Sequence, residues 1–236
     1  MARQLVLDLP VTPAYGRDDF LVGGSNERAF ALIERWPDWP DRLLRIEGPT
    51  GSGKSHLAAI WAERADAAIV PARAVTAERV PDLAALSAIA LEDLDRGVGR
   101  GDGDERALFH LVNLARERGR HVLVTSALPP ESCGLATPDL LSRLRLAPAV
   151  TLEAPDDALL RAVLVKLFHD RQIAVEASVV DFVASRMERS LGAAQDIVVA
   201  LDRESLSRGR RVTRPIAANI LAARDEQSES EPPEGN

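Results

Sequence analysis

A glycine-rich segment at residues 48–55 constrains the fold of this 236-residue chain more than any other feature of its sequence. It matches the pattern Gly-x-x-x-x-Gly-Lys-Ser, and its residues are Gly48, Pro49, Thr50, Gly51, Ser52, Gly53, Lys54 and Ser55. Glycines let successive backbone N–H groups point at phosphate oxygens, the lysine neutralises phosphate charge, and the serine hydroxyl binds Mg²⁺. The segment therefore predicts a phosphate-binding loop (P-loop) between a strand and a helix, with ATP or ADP and Mg²⁺ as ligands.

Short apolar runs alternate with longer helical patterns on both sides of this loop. The strands predicted from this alternation are 43–47, 67–70, 88–92, 121–125 and 149–152. The predicted helices are 53–64, 80–86, 105–118 and 138–144. Strands and helices that alternate at this length form βαβ units, so we expect an α/β domain with a five-stranded parallel sheet sandwiched by helices.

The strand patterns stop after Pro155, and only helical periodicity follows. Four helices are predicted there, at 157–170, 177–187, 191–207 and 214–223. The predicted organisation is an N-terminal peptide and linker (1–17), an α/β domain (18–155), a small all-helical domain (156–224) and an acidic tail (225–236). The tail is rich in Glu, Ser and Pro, so we expect it to be disordered.

An acidic pair, Glu92 and Asp93, follows the third predicted strand. A P-loop site needs an acid at the end of a neighbouring strand, to hold Mg²⁺ and to orient water. We expect Glu92 to contact the metal through water and Asp93 to polarise the attacking water. The alternative is that Glu92, Asp93 and Asp95 are polar residues that only cap the strand.

The composition limits the kinds of partner and the cellular compartment that we expect. The formal net charge of −7 argues against a large basic surface for nucleic acid. The longest apolar runs are too short to span a bilayer, so no membrane association is expected, and the N-terminus lacks the pattern of a secretory signal. The single cysteine, Cys133, fits a reducing compartment. A cytoplasmic protein is expected.

Several segments, taken in order, resemble the AAA+ module of the bacterial initiator DnaA and its shorter homologue Hda. Residues 20–29 read Phe-Leu-Val-Gly-x-x-Asn-x-x-Ala and are similar to the family motif that flanks the adenine. Residues 48–57, 125–130 and 140–144 resemble the P-loop, the end of the sensor 1 strand and the arginine-finger box. The helical patterns after residue 155 resemble the lid. The resemblance covers about residues 18–224 and implies nucleotide contacts from Val22 and His56.

The end of the chain favours Hda over DnaA within this resemblance. DnaA carries a helix-turn-helix domain after its lid, whereas this sequence stops a few residues beyond the lid pattern. Hda works with the sliding clamp, the β subunit of DNA polymerase III, to promote hydrolysis of DnaA-bound ATP. The resemblance implies DnaA and the clamp as partners, DNA contacted indirectly through the clamp, and negative regulation of replication initiation. Self-association is a further expectation, because AAA+ modules share sites across subunits.

The N-terminal segment is similar to a clamp-binding peptide. Its residues Gln4, Leu5, Leu7 and Leu9 would bind in an extended conformation, with alternate side chains entering a pocket on the clamp. An edge strand is the alternative interpretation of residues 4–9.

Arg143 occupies the position of the arginine finger in the motif Leu-Leu-Ser-Arg-Leu. A guanidinium group placed near a neighbour's γ-phosphate stabilises charge in the transition state. The resemblance implies that Arg143 acts in trans on ATP bound to DnaA. A surface arginine in an ordinary salt bridge is the alternative.

Three positions depart from the family pattern. Glu92 stands where DnaA has an aspartate, and Ala127 replaces the sensor 1 acid. The sensor 2 residue is Arg189 or, in another alignment, Gln195. These changes predict that bound nucleotide is a structural ligand and that intrinsic ATP hydrolysis is weak or absent. Two rival functions remain: a replication recruiter or loader adaptor that does not inactivate DnaA, and a small-molecule P-loop kinase.

Overall fold

The computed structural model describes residues 15–98, 103–208 and 211–230, which fall into two compact units. An α/β unit ends at Ala154, and a helical unit begins at Pro155. This division lies within one residue of the predicted domain boundary. The predicted clamp-binding residues Gln4, Leu5, Leu7 and Leu9 lie outside the described residues and stay a prediction.

The α/β unit contains one sheet and six helices within its described residues. Its strands are β1 (Leu43–Glu47), β2 (Ala67–Pro71), β3 (Ala88–Glu92), β4 (His121–Ser126) and β5 (Ala149–Thr151). Its helices are α1 (Glu27–Glu34), α2 (Lys54–Ala65), α3 (Val80–Leu83), α4 (Leu94–Gly97), α5 (Glu105–Glu117) and α6 (Pro138–Leu146). Short 3₁₀ turns lie at Arg17–Asp19, Ala72–Ala74 and Pro130–Ser132.

All neighbouring strands are parallel, in the order β2-β3-β4-β1-β5. β1 therefore lies between β4 and β5, and Glu47 at its end is level with Ser126 and Thr151. Parallel sheets are covered by helices on both faces, and ligands bind beyond the carboxyl ends of their strands. The order confirms the predicted five-stranded parallel α/β fold and brings the ends of β1, β3 and β4 to one edge.

Alternate residues of each strand point to opposite faces of the sheet and separate the core into two layers. Ile89, Leu91, Val122 and Val124 pack on one face, against helices α3, α5 and α6. The other face packs against α1 and α2, and its buried residues include Leu44, Ile46, Ala88, Ala90 and Leu123. Burial on both faces explains why these strands are continuous apolar runs in the sequence.

An aromatic cluster belongs to the second core layer and lies beside the start of β4. The rings of Trp39 and Trp61 are stacked, with centroids 5.1 Å apart. The His121 ring lies edge-on to Trp36 and to Trp39, at 5.8 Å from each. His121 is buried, and it is the first residue of a strand in which every residue is buried.

The helical unit consists of four helices around its own apolar core within the described residues. They are α7 (Asp157–Asp170), α8 (Ala177–Ala184), α9 (Leu191–Arg208) and α10 (Arg214–Ser230). Phe168, Val183 and Leu201 are almost completely inaccessible at the centre. Asp156 caps α7 by accepting the Leu159 N–H at 2.7 Å.

Helices α10 and α4 differ most from the sequence-based expectation, and α3 and α8 each end three residues earlier than predicted. Helix α10 continues to Ser230, so the first six residues of the tail predicted as disordered are helical, while residues 231–236 lie outside the described part. Extending a formed helix costs far less than nucleating one, and an ion pair between Arg224 and Asp196 ties α10 to α9 at 2.9 Å. Helix α4 was not predicted, because its four residues are too few to show periodicity.

Candidate nucleotide-binding site

The loop between β1 and α2 has a backbone that depends on glycine. Gly48, Gly51 and Gly53 have φ values of 148°, 73° and 102°, in a region that L-residues with side chains rarely adopt. A Cβ atom at Gly48 would collide with the backbone carbonyl of Leu152. The loop joins the end of β1 at Glu47 to the start of α2 at Lys54 in six residues. The loop backbone is therefore available to contact phosphate oxygens.

Lys54, the first residue of α2, folds back over this loop. Its ammonium group donates hydrogen bonds to the carbonyl oxygens of Gly48 and Pro49 at 2.7 and 2.8 Å. The residue is buried, and burial lowers its pKa from the ordinary lysine value. Asp95 opposes that decrease more strongly than any other carboxylate. A buried ammonium that meets only neutral carbonyls at close range would gain from an added phosphate charge.

The two residues predicted to bind Mg²⁺ lie together. Burial raises the pKa of the Glu92 carboxyl group, and the nearby Ser55 hydroxyl partly offsets that increase. The second carboxylate oxygen of Glu92, Oε1, is buried without a hydrogen-bond partner in the described part of the chain. A hydroxyl and a carboxylate are hard oxygen ligands of the kind that Mg²⁺ takes together with phosphate oxygens. The residues present therefore fit a magnesium–nucleotide complex.

Ser55 and Glu92 would hold the ion, which would supply positive charge to offset the charge of the phosphates. Ser52 in the loop also has a buried hydroxyl without a partner among the described residues. No group of three or more His, Cys, Asp or Glu side chains that could hold a metal ion by itself occurs in residues 15–98, 103–208 and 211–230. A metal site here would therefore depend on oxygen atoms supplied by the nucleotide.

The acidic residues after β3 point to different partners. Asp93 has a left-handed backbone, with φ at 56°, and its N–H donates to the Thr125 hydroxyl at 3.2 Å. The carboxylate of Asp95 instead accepts the Ser126 hydroxyl at 3.0 Å and the Ala127 N–H at 2.7 Å. From the sequence, Asp95 is considered only as a cap of the strand. No sequence signal shows this pairing, because Asp95 lies in α4 and its partners lie at the end of β4, more than 30 residues away.

A further cation lies beside the loop and was missed in the sequence analysis. Arg96, in α4, donates to the Thr50 hydroxyl at 3.2 Å. Its charge also lowers the pKa of Lys54. Two positive charges therefore face the P-loop, and both would favour binding of a polyanion.

The predicted adenine-flanking segment is held by a buried asparagine. Asn26 accepts the Gly23 N–H at 2.8 Å and donates to the Leu21 carbonyl at 2.9 Å, which fixes the turn that presents Val22. Val22 itself is exposed. The sequence motif contains Asn26, but we expected nucleotide contact only from its neighbour Val22.

His56 lies on the same side of the α/β unit as this turn. Its ring meets the edges of Tyr15 and Phe20, with centroids 5.2 and 5.1 Å apart. A His56 ring nitrogen lies 3.0 Å from the Gly16 carbonyl. The predicted nucleotide residues Val22 and His56 are thus joined through Phe20 and the segment after it.

The remaining predicted site residues belong to other elements: Arg143 to the α/β unit, and Arg189 and Gln195 to the helical unit. Arg143 is on α6 and exposed, and it forms no hydrogen bond or ion pair with another described residue. Arg189 donates to Asp157 at 2.6 Å, on the surface of the helical unit. Gln195 is in the second turn of α9. A contact of Arg189 or Gln195 with nucleotide stays a prediction.

A loop of this geometry follows β1, β1 lies between β4 and β5, and a separate helical unit follows the sheet. These features are typical of AAA+ proteins, a class of P-loop proteins. Within the described ranges, no helix has both the length and the apolar character required to cross a membrane.

The comparisons with known proteins relate the chain more specifically to DnaA and Hda. Residues 157–221 match the family model described as "Hda, lid domain". DnaA of Clavibacter sepedonicus is 24% identical over 207 residues, which cover 78% of this chain and 43% of that protein. The chain spans about half the length of the curated relatives it matches.

Solved structures agree on the fold. Domain III of Thermotoga maritima DnaA superposes with a TM-score of 0.78 at 19% identity, covering 91% of this chain and 98% of that one. AMPPCP-bound DnaA from Aquifex aeolicus gives a TM-score of 0.66 at 16% identity, over 85% of this chain and 69% of that one. The predicted DnaA-related AAA+ architecture, with its helical unit after the sheet, is confirmed.

Proposed function

We propose that the chain is a negative regulator of replication initiation that binds an adenine nucleotide and stimulates hydrolysis of ATP bound to DnaA. Its relation to DnaA and the match of its helical unit to the Hda lid support a role in this system. The observation that carries the inactivating role is Arg143, an exposed guanidinium without a partner among the described residues.

Nucleotide binding by the chain itself rests on the geometry of its loop. Gly51 and Gly53 turn backbone N–H groups toward the position of the phosphates, and Lys54 and Arg96 supply positive charge. The Glu92 carboxylate, beside Ser55, would hold the magnesium ion of such a nucleotide. Structural relatives were solved with AMPPCP, an ATP analogue, which agrees with this assignment.

Weak hydrolysis by the chain follows from the residues around the γ-phosphate position. The sensor 1 position is Ala127, which has no side-chain polar group. The Oδ1 atom of Asp95 accepts hydrogen bonds from the Ser126 hydroxyl and from the backbone N–H of Ala127, so this oxygen is less available to orient water. ADP or ATP therefore serves as a structural ligand in our proposal, and Arg143 supplies the chemistry on another protein's nucleotide.

Clamp binding through residues 4–9 completes the proposal. The segment combines Gln4 with leucines two residues apart, a pattern that suits an extended peptide in a pocket. Binding to a clamp on DNA would deliver Arg143 to DnaA only where replication has begun.

The experiment measures hydrolysis of radiolabelled ATP bound to DnaA in the presence of DNA-loaded clamp. Wild type should stimulate hydrolysis, and Arg143→Ala should reduce the stimulated rate by about 10³-fold, the lower range for loss of an arginine finger. Arg145→Ala is the matched control, because Arg145 lies on the same helix but forms an ion pair with Glu131 at 2.6 Å. Gln4→Ala should abolish the part of the stimulation that depends on clamp.

Absence of stimulation by folded, nucleotide-loaded wild type would reject this function. The recruiter or loader adaptor would then be the better proposal, and salt-dependent binding to DNA without clamp would support it. Equal loss in Arg143→Ala and Arg145→Ala would show that the α6 surface matters without a specific role for Arg143.

A further inference from the structure

Four arginines of the helical unit are neutralised by aspartates. They are Arg161, Arg171, Arg189 and Arg224, and each forms an ion pair. Three others, Arg186, Arg211 and Arg214, are exposed and form no ion pair with any residue that the structure describes. One unpaired arginine on a surface needs no explanation, so the relevant observation is whether these three lie together.

The three unpaired arginines are neighbours in space. The guanidinium groups of Arg186 and Arg214 both lie over the ring of Phe182, at 4.1 and 5.5 Å from its centroid. Arg211 and Arg214 line the same cavity, which has a volume of about 370 Å³. We call Arg186, Arg211 and Arg214 the arginine patch. The cations that the helical unit leaves without a carboxylate are thus concentrated at one place.

The arginine patch carries more positive charge than its surroundings neutralise. Glu176 is the one carboxylate among the described residues that line the cavity, and it accepts the Ser178 hydroxyl at 3.3 Å. Guanidinium groups at close range repel one another. The Phe182 ring offsets this repulsion for Arg186 and Arg214, because an aromatic face attracts cations. Two guanidinium groups are therefore held near one ring before any ligand binds, which reduces the entropy cost of binding.

The side chains around the patch indicate a nucleic-acid ligand rather than a protein. Interfaces between proteins have an apolar core, whereas interfaces with DNA are more polar and strongly positive. The large apolar side chains that are exposed in the described helical unit, Val165 and Leu206, do not line the cavity. Arginine also fits a phosphate backbone, because its planar guanidinium binds two phosphate oxygens at once.

The aromatic residues of the helical unit favour duplex DNA over a single strand. Proteins that hold single strands stack the bases on accessible aromatic rings. The helical unit contains two phenylalanines and no tryptophan or tyrosine. Phe168 is buried, and the Phe182 ring is in contact with Arg186 and Arg214. The patch therefore offers cations for phosphates and no free ring for bases.

We propose that the arginine patch binds the phosphate backbone of double-stranded DNA without regard to sequence. The net charge of −7 belongs to the whole chain and does not describe this small local surface. The inference goes beyond the proposed function, in which DNA is contacted only through the clamp. A direct contact with the duplex increases the affinity of the chain for DNA-loaded clamp, because two linked contacts bind more tightly than either one alone.

The test measures binding of the full chain to a fluorescein-labelled DNA duplex by fluorescence anisotropy, without DnaA or clamp. For wild type, the logarithm of the binding constant should fall with the logarithm of salt concentration at a slope of about −2.7, since three phosphate contacts contribute about −0.9 each. Arg211→Gln should weaken binding about 10-fold at about 50 mM salt and bring the slope to about −1.8. Arg214→Lys keeps the charge and should keep the slope of wild type.

Arg161→Gln is the matched control for Arg211→Gln. It removes the same charge from the same unit, but at an arginine that is paired with Asp181 at 2.9 Å. The control should bind the duplex as wild type does. An equal loss of affinity in the two variants would show that overall charge determines binding, and the arginine patch would then have no specific role.

Two further results would overturn the inference. Wild type that does not bind the duplex would exclude a DNA-binding surface, and tighter binding of a single strand of the same sequence would reject the duplex as ligand. The outcome is independent of the proposed function. If wild type stimulates hydrolysis of DnaA-bound ATP but does not bind the duplex, only this inference fails. If it binds the duplex with the expected slope but does not stimulate, only the proposed function fails.

Discussion

The carboxylate of Asp95 accepts a hydrogen bond from the backbone N–H of Ala127 at 2.7 Å, between the ends of β3 and β4. The same carboxylate accepts the hydroxyl of Ser126, which is itself buried. Asp95 thus places a carboxylate against the backbone of Ala127, a residue whose own side chain has no polar group. The two strands are tied together at the edge of the sheet nearest to the P-loop.

Replacement of Asp95 should loosen this connection. Asp95→Ala removes two hydrogen bonds to a charged acceptor, so we expect a loss of about 1.5–3 kcal/mol in the free energy of unfolding. Asp95→Asn keeps a neutral acceptor and should lose less. Urea unfolding followed by circular dichroism measures both. Asp93→Asn is the control, since Asp93 is exposed, and an equal effect there would contradict the role of Asp95.

Lys54 should determine nucleotide affinity. Lys54→Met removes the buried ammonium group that would contact phosphate, and we expect affinity for ATP and ADP to fall by about 10- to 100-fold. Isothermal titration calorimetry gives the dissociation constants. The chain has one other lysine, Lys166, which is bound to Asp170 at 2.7 Å in the helical unit. Lys166→Met should bind nucleotide as wild type does, and unchanged affinity in Lys54→Met would reject the site.

Glu92 should reduce the stability of the nucleotide-free protein at neutral pH. Burial raises the pKa of this carboxyl group above 4.5, so the folded state holds its proton more tightly than the unfolded state does. The favourable contribution is therefore present below pH 4.5 and is lost as pH rises through the folded pKa. Glu92→Gln should raise the melting temperature at pH 7 by about 2–4 °C, the equivalent of about 1 kcal/mol in a chain of this size.

The increase in melting temperature in Glu92→Gln should become smaller as pH falls toward 4.5, because Glu92 of the wild type then becomes protonated. Differential scanning calorimetry across this range provides the measurement. Glu63→Gln, an exposed position on α2, is the control and should show no such pattern. A gain that does not change with pH would show that charge burial is not the cause.

His121 should make the α/β unit sensitive to mild acid. Burial and Arg42 hold the pKa of this histidine below its ordinary value of 6.5, so folding keeps the ring neutral. Below pH 6.5 the histidine binds a proton more readily in the unfolded chain than in the folded chain. The free energy of unfolding therefore falls with a slope of up to about 1.4 kcal/mol per pH unit. His121→Asn should flatten the slope in urea unfolding, whereas His110→Asn, at an exposed position, should leave it unchanged.

The sequence predicted the fold well because its strongest signals are local. Apolar runs such as 122–124 identify strands that are buried on both faces, and the loop at 48–55 requires glycine for its backbone conformation. The end of α10 was missed because helix propagation from Arg214 overrides the polar composition of residues 225–230. Short elements such as α4 contain too few residues to show a period.

The site was only partly predictable, since long-range pairs leave no local pattern. The Ser55–Glu92 pair followed from motif spacing and strand ends, whereas the link from Asp95 to Ala127 joins residues 32 positions apart. A narrow crevice likewise brings Arg42, Arg120 and Arg143 together from three separate segments. Such a cluster cannot be recognised in a chain where arginines are frequent throughout.

The tryptophans of the aromatic cluster beside β1 and β4 provide an intrinsic fluorescence signal for the α/β unit. All three tryptophans of the chain, Trp36, Trp39 and Trp61, lie before residue 155. Tryptophan emission therefore follows the α/β unit alone, while the helical unit contributes no indole signal. Because His121 touches two of these rings, its protonation should quench the emission as the unit opens in acid. Each unit can thus be followed separately in the intact protein without a label.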